Sequence, residues 1–137
     1  MKRTASAHWE GDLKAGKGSL STQSTTLNKT QYSFNTRFAD GVGTNPEELL
    51  GAAHAGCFTM AVSMILGQAG FVATSLDTVA SVNLEGVAIT GIHLSIKGNV
   101  PNISEAQFSE IAKGAEKNCL ISKVLSIPIT SEASLTK

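Results

Sequence analysis

The chain carries two cysteines, and one of them, Cys57, lies in the charge-free run "GAAHAGCF" three residues after His54. On a helix that spacing makes the two side chains neighbours. A neighbouring Cys and His suit either metal ligation or a nucleophile of the acyl-transfer kind. Zinc needs about four ligands, and the remaining imidazole and thiol groups, His8, His93 and Cys119, show no paired spacing. No bound metal is therefore expected, and no motif calls for a bound cofactor. Acyl transfer wants an oxyanion hole and a partner to orient the imidazole, and neither is evident. Taken alone, His54 reads as a hydrogen-bonded core residue.

The thiols themselves offer more. A free cysteine packs as a small hydrophobe, so core filling is one reading of both. Redox reactivity is the other, and it requires a nearby positive charge to stabilise the thiolate. Arg37 supplies a charge that does not titrate away. A buried arginine needs a carboxylate against its fork, and Glu47 or Glu48 is placed to provide one. Glu47 precedes Cys57 by ten residues, which is about 15 Å along a helix. They share a site if a long arginine spans much of that distance, or if Arg37 and Glu47 reach the thiol of another chain. The helix is apolar on nearly every side, and such a helix is covered more easily in a dimer than by one chain of 137 residues. A homodimer with its site at the interface is expected.

Composition sets the frame for these groups. Apolar residues make up 42% of the chain and charged ones 16%, enough for one compact domain spanning residues 1–137. Eleven basic and eleven acidic residues are scattered without runs, so no nucleic-acid partner is expected. The N-terminus has basic residues but no apolar stretch behind them, which points to the cytoplasm, where thiols stay reduced. No charge occurs between Glu48 and Asp77, a run long enough to span a membrane. Gly51, His54, Gly56, Thr59, Ser63, Gly67, Gln68 and Gly70 interrupt it, no basic cluster flanks it, and a buried core helix is the expectation rather than a membrane partner. "GDLKAGKG" misses a phosphate-binding loop, since Gly18 stands where Ser or Thr must hold magnesium.

The elements that position the chemistry follow from patterning. "ASAHWEG", "KGSLSTQSTTLN" and "QYSFNTRF" read as strands; in the third, Tyr32, Phe34, Thr36 and Phe38 share one face and Ser33, Asn35 and Arg37 the other. "TNPEELL" opens a helix with Asn45 as N-cap, Pro46 at the first helical position and acidic residues near the positive end of the dipole. It should end near Gln68 or Ala69. Leu76 to Asn99 alternates as a hairpin about "EG". A second helix is capped by Ser104, with Phe108, Ile111, Ala112 and Ala115 as its apolar stripe and Cys119 just past its end. "LISKVL" is a short helical piece, and "SIPITSEASL" a last strand with Pro128 at an edge or first position. This order predicts an α+β fold with antiparallel sheet.

Together, "AHWEGD", "YSFNTRF", "GTNPEELLGAAHAGCF" and "NCLISKVL" resemble the OsmC/Ohr family of thiol-dependent hydroperoxide reductases. The resemblance runs from Ala7 to Lys137, and Arg37 falls twenty residues before Cys57 within it. It implies an OsmC-like fold, an intertwined homodimer with antiparallel sheets wrapped around long central helices and sites at the subunit interface. It further implies that Cys57 is the peroxidatic cysteine, Cys119 the resolving one, Arg37 the thiolate-stabilising arginine and Glu47 its carboxylate, leaving Glu48 to cap the helix. The implied reaction reduces organic hydroperoxides through a Cys57 sulfenic acid and a Cys57–Cys119 disulfide, recycled by an external dithiol of lipoyl type. Leu50, Phe58 and Met60 would line the apolar substrate side. One departure stands out: the family commonly has proline after the second cysteine, and this chain has Leu120. Two other classes remain, a redox-sensing or ligand-binding relative without turnover and a non-redox dimer with core cysteines.

Overall fold

The computed structural model describes residues 1–136 and contains two compact units, Met1–Leu49 and the chain from Leu50 onward. In the first unit, β1 (Ala5–Glu10), β2 (Lys17–Thr22) and β3 (Thr30–Tyr32) form an antiparallel sheet in that order. Gly18 on the middle strand pairs with both Trp9 and Tyr32. The two rings meet edge to face above it, with centroids 5.5 Å apart. A Cβ at Gly18 would lie 2.5 Å from a carbon of each ring, so only glycine lets them close. Gly18→Ala is expected to destabilise the protein by about 1–3 kcal/mol through this overpacking, read from the urea midpoint at constant slope.

The aromatic segment expected as a strand is instead mostly a short helix, α1 (Phe34–Phe38). Ser33 caps it reciprocally: Thr36 N–H donates to Ser33 Oγ at 3.2 Å, and Ser33 N–H donates to Thr36 Oγ1 at 2.9 Å. The alternation of Tyr32, Phe34, Thr36 and Phe38 fits period two, but the capping box wins once the strand has run out of partners beyond Tyr32. Arg37 therefore projects from the last turn of α1. The long helix α2 (Pro46–Gln68) then begins as expected, with Glu48 N–H donating to Asn45 Oδ1 at 2.8 Å.

In the second unit, His54, Phe58, Val62 and Leu66 recur every four residues along α2 and are all buried. They pack into one core with Ile92, Leu94 and Ile96 of β5 (Ala88–Asn99) and with Phe108, Ala112 and Ala115 of α3 (Glu105–Asn118). The helix stops at a glycine-centred turn: Gly70 has φ +88°, its N–H donates to Gly67, and Phe71 N–H donates to Leu66. β4 (Ser75–Glu85) and β5 form the expected hairpin about Gly86. Ser104 caps α3 as expected, in a capping box with Gln107. A short α4 (Leu120–Val124) leads to β6 (Ile129–Leu135), an edge strand that Pro128 precedes.

The α+β class holds, but the sheet is mixed. β6 runs parallel to β5, from Ile92 opposite Ile129 to Gly98 opposite Leu135. Helices α3 and α4 supply the long crossover that a parallel pair requires. Lys113 Nζ on α3 donates to the Ser131 carbonyl at 2.7 Å and fastens the crossover to the strand.

Candidate active site

Two arrangements carry chemistry, one in each unit. In the first, Arg37 donates to the Glu47 carboxylate from two nitrogens, Nη2 at 2.6 Å and Nε at 3.0 Å to Oε1. The Glu47 side chain is nearly buried while that of Arg37 is 40% exposed, so the guanidinium is anchored at one edge and open at the other. Burial pushes the Glu47 pKa up; the hydrogen bonds from Arg37 and the backbone and the attraction of the guanidinium outweigh it, and the net pKa lies below the usual carboxylate value. Glu48 does not compete for Arg37. It accepts a hydrogen bond from Thr44 Oγ1 at 2.7 Å instead.

Beside Arg37 opens a cleft of about 230 Å³ lined by Trp9, Leu13, Tyr32, Phe34 and Phe38. The guanidinium carbon lies 5.1 Å from the Phe38 ring centroid, within cation–π range. Tyr32, Phe34 and Phe38 were expected on one face of a strand; Trp9 and Leu13 join them only in the fold. Of Leu50, Phe58 and Met60, expected as the substrate lining, the first two share the core cluster and Met60 lies apart from it. Phe58 is fully buried in the core, Met60 is 76% exposed, and Leu50 packs at the core margin. Met60 follows Phe58 by two positions, which turns it to the other side of the helix.

In the second unit both cysteines are free thiols, Cys57 half-buried on α2 and Cys119 buried. They belong to the same packed cluster. Cys119 ends α3 and begins α4, its N–H donating to Ala115 and its Sγ accepting from Ser122 N–H at 3.3 Å. His54, one turn before Cys57, reaches this corner, with Nε2 at 2.8 Å from Ser122 Oγ. Burial pushes its pKa below the usual histidine value, so the ring is neutral at pH 7. The expectation of a hydrogen-bonded core histidine is met. Among the described residues, no three His, Cys, Asp or Glu side chains gather as metal ligands.

Leu120 occupies the first position of α4, where a proline is well accommodated. Cys119 has φ −64° and ψ 144°, the extended region a following proline enforces. The leucine thus leaves the backbone at the sulfur in the conformation proline would impose. Leu120→Pro is expected to raise stability by about 0.4–1 kcal/mol by restricting the unfolded chain, measured by denaturant titration of the reduced protein.

The sequence model described as OsmC-like protein matches residues 39–133. The chain is 50% identical to the Peroxiredoxin OsmC of Escherichia coli (strain K12) over 139 aligned positions, covering 98% of this chain and 97% of that one. Among solved structures it is similar to the organic hydroperoxide resistance protein OhrB of Bacillus subtilis, with TM-score 0.67, 21% identity and coverage of 97% and 98% of the two chains. It is also similar to an OsmC-like protein of unknown function from Vibrio cholerae, with TM-score 0.72, 16% identity and coverage of 97% and 99%. These two likenesses concern the fold; membership follows from the sequence match and the near-complete curated alignment. The chain belongs to the OsmC family.

Proposed function

We propose that this protein, acting as one OsmC-like domain, reduces organic hydroperoxides to alcohols. It is a thiol-dependent peroxidase. The Cys57 thiolate attacks the terminal oxygen of ROOH, the O–O bond breaks, and the alkoxide leaves with a proton as ROH, which leaves Cys57 as a sulfenic acid. The Cys119 thiol condenses with it to a disulfide and water, and an external dithiol of lipoyl type restores both thiols. Arg37, aimed by Glu47, favours the thiolate and stabilises charge developing on the peroxide oxygens. The aromatic cleft beside Arg37 suits the organic part of the substrate.

The observation that supports the reading is that both free thiols pack in or against one core cluster, with α2 tied through His54 to the corner that holds Cys119. A homodimer completes the site. Its support is the face of α2 bearing Ala53, Gly56, Met60, Met64 and Gly67, which is exposed in the chain although apolar or small throughout. Only 28% of the most apolar stretch of the helix is buried. A second α2 covers such a face, with the glycines permitting close approach. By length and composition alone the helix also qualifies as a membrane span; its glycines and polar residues favour the dimer, and a cytoplasmic location goes with reduced thiols.

The deciding assay follows consumption of cumene hydroperoxide with dihydrolipoamide or with a monothiol as reductant. Sustained turnover with the dithiol and little with the monothiol is expected. Oxidation that stops after one equivalent with either reductant identifies a sensor rather than a peroxidase.

A further inference from the structure

A buried polar chain runs from His54 on α2 to Cys119, and the reaction above leaves it unused. His54 is wholly buried, its Nε2 lies 2.8 Å from Ser122 Oγ, and Ser122 Oγ lies 3.1 Å from Cys119 Sγ. His54 and Ser122 are 68 residues apart in sequence, so this is a tertiary arrangement. The other ring nitrogen, Nδ1, is buried with no hydrogen-bond partner among the described residues. An imidazole kept only for packing is ordinarily satisfied at both nitrogens or replaced by an apolar side chain. Here one nitrogen is left unpaired, and the other is committed to a hydroxyl that touches a thiol.

Cys119 needs such help. Its thiol is buried at 2% exposure, and a buried thiol has no water to take its proton, yet only the thiolate attacks sulfur. The neutral ring described above can accept that proton at Nε2, through the Ser122 hydroxyl.

We propose that Ser122 and His54 form a proton relay that deprotonates Cys119 for its attack on the Cys57 sulfenic acid. The inference rests on the reading of Cys119 as the resolving cysteine. Ser122 touches the reacting sulfur and is the catalytic residue; His54 acts through it and is a positioning residue. The proton on Cys119 Sγ passes to Ser122 Oγ as the Ser122 hydroxyl proton passes to His54 Nε2. This requires the tautomer with hydrogen on Nδ1, which leaves Nε2 to accept. The Cys119 electron pair forms the S–S bond, the Cys57 S–O bond breaks, and hydroxide leaves. The imidazolium returns its proton, and hydroxide departs as water. Cys119 sulfur is oxidised and Cys57 sulfur reduced, so no outside oxidant enters the step.

The test mixes the reduced full-length protein with one equivalent of cumene hydroperoxide and quenches at intervals with a sulfenic-acid-trapping dione and a thiol alkylator. Intact mass then gives the rate of disulfide formation relative to the rate of sulfenic acid formation. That ratio is expected to fall about 10²-fold in Ser122→Ala and in His54→Gln. Glutamine can still hydrogen-bond Ser122 but takes no proton, so a packing role for His54 would leave the ratio in place. Ser122→Thr, which keeps the hydroxyl, should restore it. A ratio unchanged in Ser122→Ala overturns the relay, whatever His54→Gln does, and decides the matter if His54→Gln does not fold. A ratio lowered in Ser122→Ala but unchanged in His54→Gln also overturns it. If the unaltered protein accumulates the sulfenic adduct and never forms a disulfide, the resolving role of Cys119 fails and the relay with it.

Discussion

Cys57→Ser is expected to abolish peroxidase turnover, a fall of more than about 10³-fold to the background reaction. A hydroxyl is far weaker as a nucleophile than a thiolate at neutral pH, and its oxygen cannot take up the transferred oxygen atom as sulfur does. The side chain is half-buried at the margin of the core, so serine introduces one hydroxyl and almost no change in volume. The variant should therefore remain folded, with a denaturation midpoint near that of the unaltered protein. Coupled assay of cumene hydroperoxide consumption with dihydrolipoamide measures the loss. Full activity in this variant would refute the assignment of Cys57.

In the role proposed for Arg37, Arg37→Met is expected to slow the first oxidation by about 10²-fold, the loss that follows removal of one preorganised donor to a developing oxyanion. The guanidinium is held by two charge-assisted hydrogen bonds to Glu47, at 2.6 and 3.0 Å. Methionine keeps an unbranched apolar stem while removing the charged guanidinium that lies 5.1 Å from the Phe38 ring centroid. Glu47→Gln should produce a smaller version of the same defect, because the arginine keeps its charge but loses its anchor. The two substitutions are coupled, so the double variant should be little worse than Arg37→Met alone. Stopped-flow oxidation under single-turnover conditions resolves this step from recycling.

The pair also sets a pH dependence of stability. The Glu47 carboxyl is lowered from its ordinary value of 4.5, so the folded state binds its proton less readily than the unfolded chain. Its contribution is complete above about pH 4.5 and is lost as the pH falls through the folded-state value. The stability difference between the unaltered protein and Glu47→Gln should therefore shrink on acidification from pH 6 toward pH 3.5, as measured by urea unfolding.

Local signals determined much of this protein. Asn45 and Pro46 fix the start of α2, Ser104 and Gln107 that of α3, and alternation fixes the β4–β5 hairpin, because caps and periodicity act over a few residues. The aromatic segment around Arg37 had two local signals in conflict, alternation and a Ser33–Thr36 capping box, and only the end of strand pairing at Tyr32 resolved them. Charge alone called for a carboxylate against Arg37 and left Glu47 and Glu48 equally open. The family resemblance implied Glu47, and the side-chain geometry places Glu47 on Arg37 and Glu48 on Thr44.

What required the tertiary structure has one common cause, contact between residues distant in the chain. The parallel placement of β6 beside β5 depends on how α3 and α4 cross the sheet, and the strand's own residues do not encode it. Helix α2 is apolar around its circumference, so its sequence holds no stripe to say that Phe58 faces the core and Met60 faces away. The run "GAAHAGCF" thus supplied a cysteine and a histidine one turn apart. The fold alone joined that histidine, through Ser122, to the other cysteine.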